Sequence, residues 1–587
     1  MAKPRSWLPA IGLALYGCFW ATASVAGWFS DAPFYYLTRG NWINDLAQSA
    51  TRWLPPVETL LTGAAFVFLL PAIVIAAVYL ARRYAYDPLD RWFERPDAER
   101  TVVVLGVALT LAITCFVQFA VVRGACILDD ENAYLFGARL FAHGHVGLPT
   151  PPVAFGNAMI LREPMWTSGY TPGQSLILAP ATLIHAEHLV PPIFAGILVV
   201  AVWSFTRDMF GAKHAALATL LVSLSPFVWA IHGTVLPFGT SGACLAVFLA
   251  AIARAEKTDR SWWVLVAGLA IGLAFITRPY EALGFAAPCA VRLLGEVRRH
   301  PARLAWAVVG FVAIAWLLLA HNYLVMGSML NMPYNAPGRA QFHLGFTNSL
   351  EAYIHSPMQA IGNLVGVVAR LDLWMLAWPG SILLVVAGAL RRAPTRGDWV
   401  LRWTLGSFVA FYIIVPFPGT WDVGPTYYYA IVPVLIPLAV RGVSALRAWL
   451  RAITPLGAVA SRMVGWGVIA GLFVAVAAIA PIRAIHLAML STEIKAPWQT
   501  IEDSDLEDSI VIVPRTDLRR APGWAFGYPY TLTTARGGTV HLIIPTDQKE
   551  LEQAIAFLGP QPVYVLQLDL KHYDATGMRS FTIVPVK

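Results

Sequence analysis

The sequence predicts a polytopic α-helical membrane protein of about 13 transmembrane helices, followed by a small C-terminal α/β domain. Composition is the first observation behind this: of 587 residues, 57% are hydrophobic and 13% charged, where soluble domains carry about 25% charged residues. The second is the recurrence of apolar runs of roughly 17–25 residues, each long enough to cross a bilayer. The third is a change of pattern at residue 484, where short β-rich runs replace long apolar ones. A soluble bundle would need charged helix faces, and these runs lack them.

The chain begins with a basic MAKPR, followed by an apolar run over 7–29. Small residues between Ala21 and Ala26 resemble a cleavage site, but a retained signal anchor is the preferred reading. A second span covers 57–80, and the loop after it carries Arg82, Arg83, Arg91, Arg95 and Arg100, which places it in the cytoplasm. Further spans are expected near 101–122, 189–205, 214–231, 238–253, 262–276, 281–294, 304–321, 373–390, 399–416, 427–440 and 463–481. A short apolar piece over 175–184 dips into the membrane without crossing. The basic residues concentrate in alternate loops, so the net charge of +8 is an orientation signal, and no nucleic-acid partner is expected. The same register places the loops 123–173 and 322–372 and the tail from 484 outside the cytoplasm. The expected organisation is therefore an N-terminal helix pair (1–100), a transmembrane core (101–483) and an extracytoplasmic α/β domain (484–587). In that last part, strands are expected at 509–513, 539–544, 563–568 and 581–586. A helix between the second and third is capped by Asp547 and ended by Gly559.

Cys18, Cys115, Cys126, Cys244 and Cys289 form no CxxC pair, and none lies in the tail, so neither a disulfide framework nor a cysteine zinc site is expected.

The loop 123–173 stands apart. It is about 50 residues long, where structureless loops rarely exceed about 15, and its aromatic content argues for order. It opens with Asp129, Asp130 and Glu131, three carboxylates whose mutual repulsion needs a reason. Asp129 or Asp130 could cap a helix starting near Glu131; a carboxylate there could also act as a general base, or hold a divalent cation through hard oxygens. No metal and no cofactor is assigned. His143 and His145, which flank Gly144, are read as a loop pair, and His232 is ambiguous. Arg278 is a lone arginine between two apolar segments, suited either to an anionic phosphate or to pairing with Glu281 three residues on. Arg162, Arg339 and Arg370 are alternatives for the phosphate. Trp421, Asp422, Tyr427 and Tyr428 sit at the outer end of a span, as an interfacial belt or as a sugar- or lipid-binding patch.

Two motifs carry a resemblance. The first is DE-x-x-Y with a following A-x-x-x-x-x-G, here Asp130, Glu131, Tyr134, Ala138 and Gly144. The second is Y-x-P-G-x-x-L-x-L-A-P, here Tyr170, Pro172, Gly173, Leu176, Leu178, Ala179 and Pro180. Together with the segment around Arg278 and Pro279, and with GPTYYYAIVPVLIPLAVRGV, they resemble the C-superfamily (GT-C) membrane glycosyltransferases. The groups in view are the bacterial relatives of protein O-mannosyltransferases and the lipid A aminoarabinose transferases, glycosyltransferase family 39-like. The resemblance covers about residues 100–445. It departs from the family pattern in having two spans before the acidic loop, and Thr426 where arginine is commoner.

The resemblance implies an enzyme moving a hexosyl or pentosyl group from a polyprenyl-phosphate donor to a glycan, lipid or protein acceptor on the extracytoplasmic face of a bacterial inner membrane. Asp130 maps onto the family's essential acid, with Glu131 beside it. Asp129, Tyr134, Arg162, Tyr170, Arg278, Arg339, Tyr427 and Tyr428 are expected around the donor and its lipid phosphate. The alternative is a transporter or flippase of lipid-linked saccharides, which would place ionisable groups near mid-bilayer.

Overall fold

The structure is a computed structural model that describes residues 68–93, 98–150, 160–161, 163–336, 344–346, 355–416, 419, 423–453, 457–513, 531–534, 537–543, 545, 547–569 and 580–586. The first apolar run lies outside the described residues.

The helices follow in order: α1 (Leu70–Arg83), α2 (Pro88–Phe93), α3 (Ala98–Phe116), α4 (Asp129–Ala142), α5 (Gly173–Thr182), α6 (Val190–Phe210), α7 (Ala212–Ser223), α8 (Pro226–His232), α9 (Pro237–Thr258), α10 (Trp262–Thr277), α11 (Pro279–Gly295), α12 (Pro301–Met326), α13 (Pro357–Trp374), α14 (Ile382–Ala389), α15 (Arg396–Ile413), α16 (Val432–Ile453), α17 (Gly457–Val474) and α18 (Ala480–Glu502). Proline starts many of them: Pro226, Pro237, Pro279 and Pro301 each occupy a first turn, where the missing N–H has no partner to lose.

Among the described residues, six helices are long and apolar enough to cross a membrane, or seven if the bent pair α7–α8, with 56° between its axes, is one span. The thirteen expected segments are thinned by short pieces. The expected span 373–390 is broken: helix α13 ends at Trp374 and α14 has only 8 residues. The break is built around buried Asp372, whose carboxylate accepts from Gly380 N, Ser381 Oγ and Ile382 N at 2.7–3.0 Å. Helix α13 also occupies part of the stretch 322–372 that was expected to be loop. Helix α10, at 16 residues, is short for a span, and α11 carries Glu281 and Arg292.

Helices approach closely where side chains vanish. A Cβ on Gly310 of α12 would stand 2.4 Å from the Leu265 carbonyl of α10, and one on Gly442 of α16 would stand 1.8 Å from the Leu384 carbonyl of α14. Small residues at such crossings let backbones pack where the hydrophobic effect offers no drive.

Within the bundle, π-helical turns occur at Val117–Val121 after α3 and at Ala475–Ile479 between α17 and α18. A short antiparallel pair, β1 (Ile160–Leu161) and β2 (Thr167–Ser168), lies between α4 and α5, and beyond α18 lies a five-stranded sheet with order β4-β5-β3-β6-β7: β3 (Ser509–Ile512), β4 (Thr531–Thr533), β5 (Thr539–Ile543), β6 (Val563–Leu568) and β7 (Phe581–Pro585). Strand β3 runs parallel to β5 and β6, and the two edge strands are antiparallel to their neighbours. Alternate residues of this sheet serve two faces. Val511, Val540, Leu542 and Leu566 pack with Trp498 and Ile501 of α18, while Ile510, Ile512 and Ile543 pack with α19 (Gln548–Leu558). Asp547 caps α19, accepting from Glu550 N at 2.8 Å, and Gly559 ends it, as the spacing predicts. Strand β4 is an addition to the four expected.

Candidate functional site

The site is built where the chain leaves α3. After the π turn, Arg123 and Gly124 take positive φ, 55° and 68°, which turns the backbone into the segment leading to α4. Neither Asp129 nor Asp130 caps that helix. Leu128 is the N-cap, in extended conformation, and the carboxylate that reaches back is Glu131 in the first turn. Its Oε1 accepts from Ile127 N at 2.7 Å and Leu128 N at 3.2 Å, and its Oε2 accepts from Val235 N at 2.9 Å. Glu131 is 1% exposed. Burial pushes its carboxyl up to about 7, against three N–H donors that favour the ionised form. With both oxygens engaged by backbone, Glu131 pins α4 to the turn before α9 (begun at Pro237). It stands apart from the catalytic pairing with Asp130 expected from sequence.

Asp130 is only partly buried. The Tyr170 hydroxyl donates to its carboxylate. Tyr134, one helical turn on, stacks on Tyr170 with ring centroids 4.7 Å apart. Burial raises both phenols well above their usual range, so both remain donors. Tyr170 is held by the segment after it. Thr171 Oγ1 donates to Thr277 O at 2.7 Å, Gln174 Nε2 to Val235 O at 2.8 Å, and Ser175 Oγ to Tyr134 O at 2.9 Å. A Cβ at Gly173 would lie 2.5 Å from Thr277 N, so only glycine lets α5 meet the end of α10. The Y-x-P-G motif thus fastens Tyr170 to Asp130 on one side and to the residue before Arg278 on the other.

Arg278 joins α10 to α11. Its Nε pairs with Glu281 Oε1, and Glu281 Oε2 accepts from Ser241 Oγ at 2.8 Å. The guanidinium lies 4.2 Å from the Phe238 ring centroid and 4.7 Å from that of Tyr427. It also hydrogen-bonds the hydroxyls of Tyr412 and Tyr427. Both readings of Arg278 therefore touch the same side chain: it is paired with Glu281, and it presents a guanidinium framed by phenols. Tyr427 lies within the electrostatic reach of Asp130, and Tyr134 within that of Arg278, so the acid and the cation share one aromatic-walled patch.

Of the expected residues, the structure brings Asp130, Tyr134, Tyr170, Arg278 and Tyr427 together. Tyr428 turns away, packing its ring against Tyr412 and Phe408 at 5.2 and 6.0 Å. Thr426, which stands where the family pattern has arginine, is buried and donates to Gly419 O at 2.9 Å, fastening the turn that presents Tyr427. Arg162, Arg339, Trp421 and Asp422 lie outside the described residues, as does the Asp129 side chain. Sequence reasoning gave no site role to Tyr412, Phe238 or Ser241. The usable signals were polar-tipped residues, Tyr412 and Ser241, inside otherwise apolar runs. His143 Nδ1 bonds its own helix at Arg139 O, 2.8 Å away. His232 Nδ1 donates to Pro191 O at 2.8 Å. Among the described residues no group of three His, Cys, Asp or Glu is placed to hold a metal ion. A cation bound at the acidic run would find both Glu131 oxygens already engaged.

Residues 184–323 match the family model of the dolichyl-phosphate-mannose-protein mannosyltransferases. No curated protein matches the chain by sequence. In structure, the chain is similar to ArnT from Cupriavidus metallidurans bound to undecaprenyl phosphate, with 15% identity, a TM-score of 0.50 and coverage of 81% of this chain and 97% of that one. Looser superpositions are found with the oligosaccharyltransferase AglB from Archaeoglobus fulgidus in complex with an inhibitory peptide and a dolichol-phosphate (13% identity, TM-score 0.38, coverage 81% and 70%). The arabinosyltransferase EmbB from Mycobacterium smegmatis is similarly distant (14%, 0.43, coverage 76% and 45%). The likeness carried by the motifs extends to the fold: over most of its length this multi-helix chain shares the fold of ArnT, and its segment 184–323 matches the mannosyltransferase family model.

Proposed function

We propose that the protein transfers a sugar from a polyprenyl-phosphate donor to an acceptor at the extracytoplasmic face of a bacterial inner membrane, with inversion at the anomeric carbon. The observation that carries this reading is the meeting of Asp130 and Arg278 across Tyr134, Tyr170 and Tyr427, on a fold shared with a protein bound to undecaprenyl phosphate. Asp130 accepts the proton of the attacking acceptor group as that group bonds to the anomeric carbon. General-base assistance of this kind is worth about 10²–10⁴ in rate. The bond from the anomeric carbon to the phosphate oxygen breaks and its electron pair leaves with the phosphate, so no acid is needed. The Arg278 guanidinium, with the Tyr427 and Tyr412 hydroxyls, meets the charge that gathers on the departing phosphate. Arg162 and Arg339 are further candidates for that phosphate. Glycan, lipid and protein acceptors all fit this chemistry. The sheet after α18 stands on the same side of the membrane, as an extracytoplasmic α/β domain over residues 484–587, following the transmembrane core of 101–483.

The test is release of polyprenyl phosphate from a panel of radiolabelled polyprenyl-phosphate sugars, by wild type and Asp130→Asn. Release by the wild type alone is the expected result. Intact donor in both, with translocation retained, would move the protein to the transporters.

A further inference from the structure

The helix that carries the C-terminal sheet also holds the entry to the acidic loop. On one face of α18, Ser491 Oγ donates to Val122 O at 2.5 Å and Lys495 Nζ to Arg123 O at 3.2 Å, while Thr492 Oγ1 pairs with the Arg123 guanidinium. Val122 O accepts from Ala125 N as well, at 3.0 Å. These carbonyls belong to the turn in which Arg123 adopts φ +55°, a left-handed conformation that a non-glycine residue keeps only where its surroundings hold it. Six residues further on, the helix bearing Asp130 begins. At the other end of the same face, one turn beyond Lys495, Trp498 and Ile501 enter the core of the sheet with Val511, Val540 and Leu566. A helix advances about 1.5 Å per residue, and α18 runs unbroken from Ser491 to Ile501 with one internal proline, Pro497, so a single helix joins the sheet to the turn at Arg123.

We infer that α18 is a positioning strut: Ser491 and Lys495 set the turn at Arg123 and through it the pose of Asp130, and the seating of the sheet on Trp498 is transmitted to that turn. The mechanistic half of this inference rests on the reading of Asp130 as the base; the mechanical half does not. The strut gives the tail a role in the chemistry at a distance from the reacting atoms. An acceptor or partner that moves the sheet acts on the rate of transfer rather than on donor affinity.

The experiment uses the full chain in detergent or nanodiscs, with wild type, Ser491→Ala, Lys495→Met and Trp498→Ala. Lys495→Met keeps the aliphatic stem of a partly exposed side chain, so it keeps the fold even if Trp498→Ala does not. Hydrogen exchange of the peptide spanning 123–131 is the primary readout. Exchange is expected to quicken about tenfold in Ser491→Ala and Lys495→Met, with the transmembrane helices unchanged. Where Trp498→Ala folds, the same peptide is expected to loosen. Unchanged exchange at 123–131 in both Ser491→Ala and Lys495→Met overturns the strut. In turnover, kcat is expected to fall about tenfold with KM for the donor within about twofold of wild type, and Lys495→Arg is expected to restore it. A KM effect in place of a kcat effect overturns the positioning role. If the wild type releases no polyprenyl phosphate while exchange still responds, the strut stands and the transferase reading falls.

Discussion

Two arginine–carboxylate pairs in this bundle, Arg441 with Asp398 and Arg278 with Glu281, differ in how completely they close. Arg441 meets Asp398 with two parallel bonds, Nε to Oδ1 at 2.8 Å and Nη2 to Oδ2 at 2.9 Å. Asp398 Oδ2 also accepts from Thr395 N and Oγ1 at the start of α15, and the Arg441 guanidinium rests over Phe210. Every partner there is part of the helix framework. Arg278 engages Glu281 through Nε alone, and the rest of its guanidinium faces phenol hydroxyls that belong to the aromatic wall of the site. A bidentate pair is a finished joint; a pair joined at one nitrogen keeps donors that an incoming phosphate oxygen can take. Burial of an arginine in a membrane protein is therefore a poor sign of function on its own, and the geometry of its pairing is a better one.

The largest effect is expected at Asp130, which accepts from Tyr170 on the same aromatic wall. Asp130→Asn is expected to lower release of polyprenyl phosphate by about 10²–10⁴ with the fold intact, measured with the labelled donor. Next come the two arginines. Arg278→Gln is expected to cost about 10² in transfer. Adding Glu281→Gln, which removes the stranded carboxylate, should recover thermal stability but not transfer. Arg441→Gln leaves Asp398 buried and uncompensated, a loss of about 3–5 kcal/mol; in that case the double change Arg441→Gln with Asp398→Asn should recover stability and activity together. Equal rescue of transfer in both double variants would erase the distinction. A smaller effect is expected from Glu131. Its folded carboxyl titrates near 7 and its ordinary value is 4.5, so the folded state holds a proton over a window in which the unfolded chain has lost it. Its contribution is full below pH 4.5 and is lost as pH rises towards 7, on the order of 3 kcal/mol in all. Thermal melts between pH 4.5 and 8 should show that slope in wild type and a flatter one in Glu131→Gln. The smallest effects separate two neighbours: Tyr427→Phe should slow transfer about tenfold through the lost hydroxyl, and Tyr428→Phe should change it by less than about twofold.

Much of this was legible from sequence. The acid, the two loop tyrosines, Arg278 and Tyr427 follow from motifs whose spacing encodes local geometry, and the cap and stop of α19 follow from Asp547 and Gly559. What stayed hidden depends on facing across helices. Glu131 and Asp130 are adjacent letters, but successive helical positions point about 100° apart, so one meets backbone N–H groups and the other meets phenols. Tyr427 and Tyr428 are separated likewise, by about 120° within the 3₁₀ turn Thr426–Ile431. Phe238 and Tyr412 reach Arg278 from α9 and α15 and Ser241 reaches its partner Glu281 from α9, and an evenly apolar run does not say which of its faces meets a neighbour. The break at Asp372 was lost for a related reason: hydropathy counts the apolar residues on both sides of it and misses the carboxylate that ends one helix and starts the next.

The π turn at Val117–Val121 has a consequence for how this chain tolerates insertions and deletions. Val122 N bonds to Val117 O at 2.7 Å, five residues back rather than four, so the turn holds one residue more than an α-helix needs. Removing one residue there would close the turn to a regular α-helical one and leave the positions after it on their present faces, with Val122 O still directed at Ser491. The same loss from a regular stretch of helix would rotate every later position by about 100°. The turn is thus a place where the chain is expected to tolerate the loss of one residue ahead of the acidic segment.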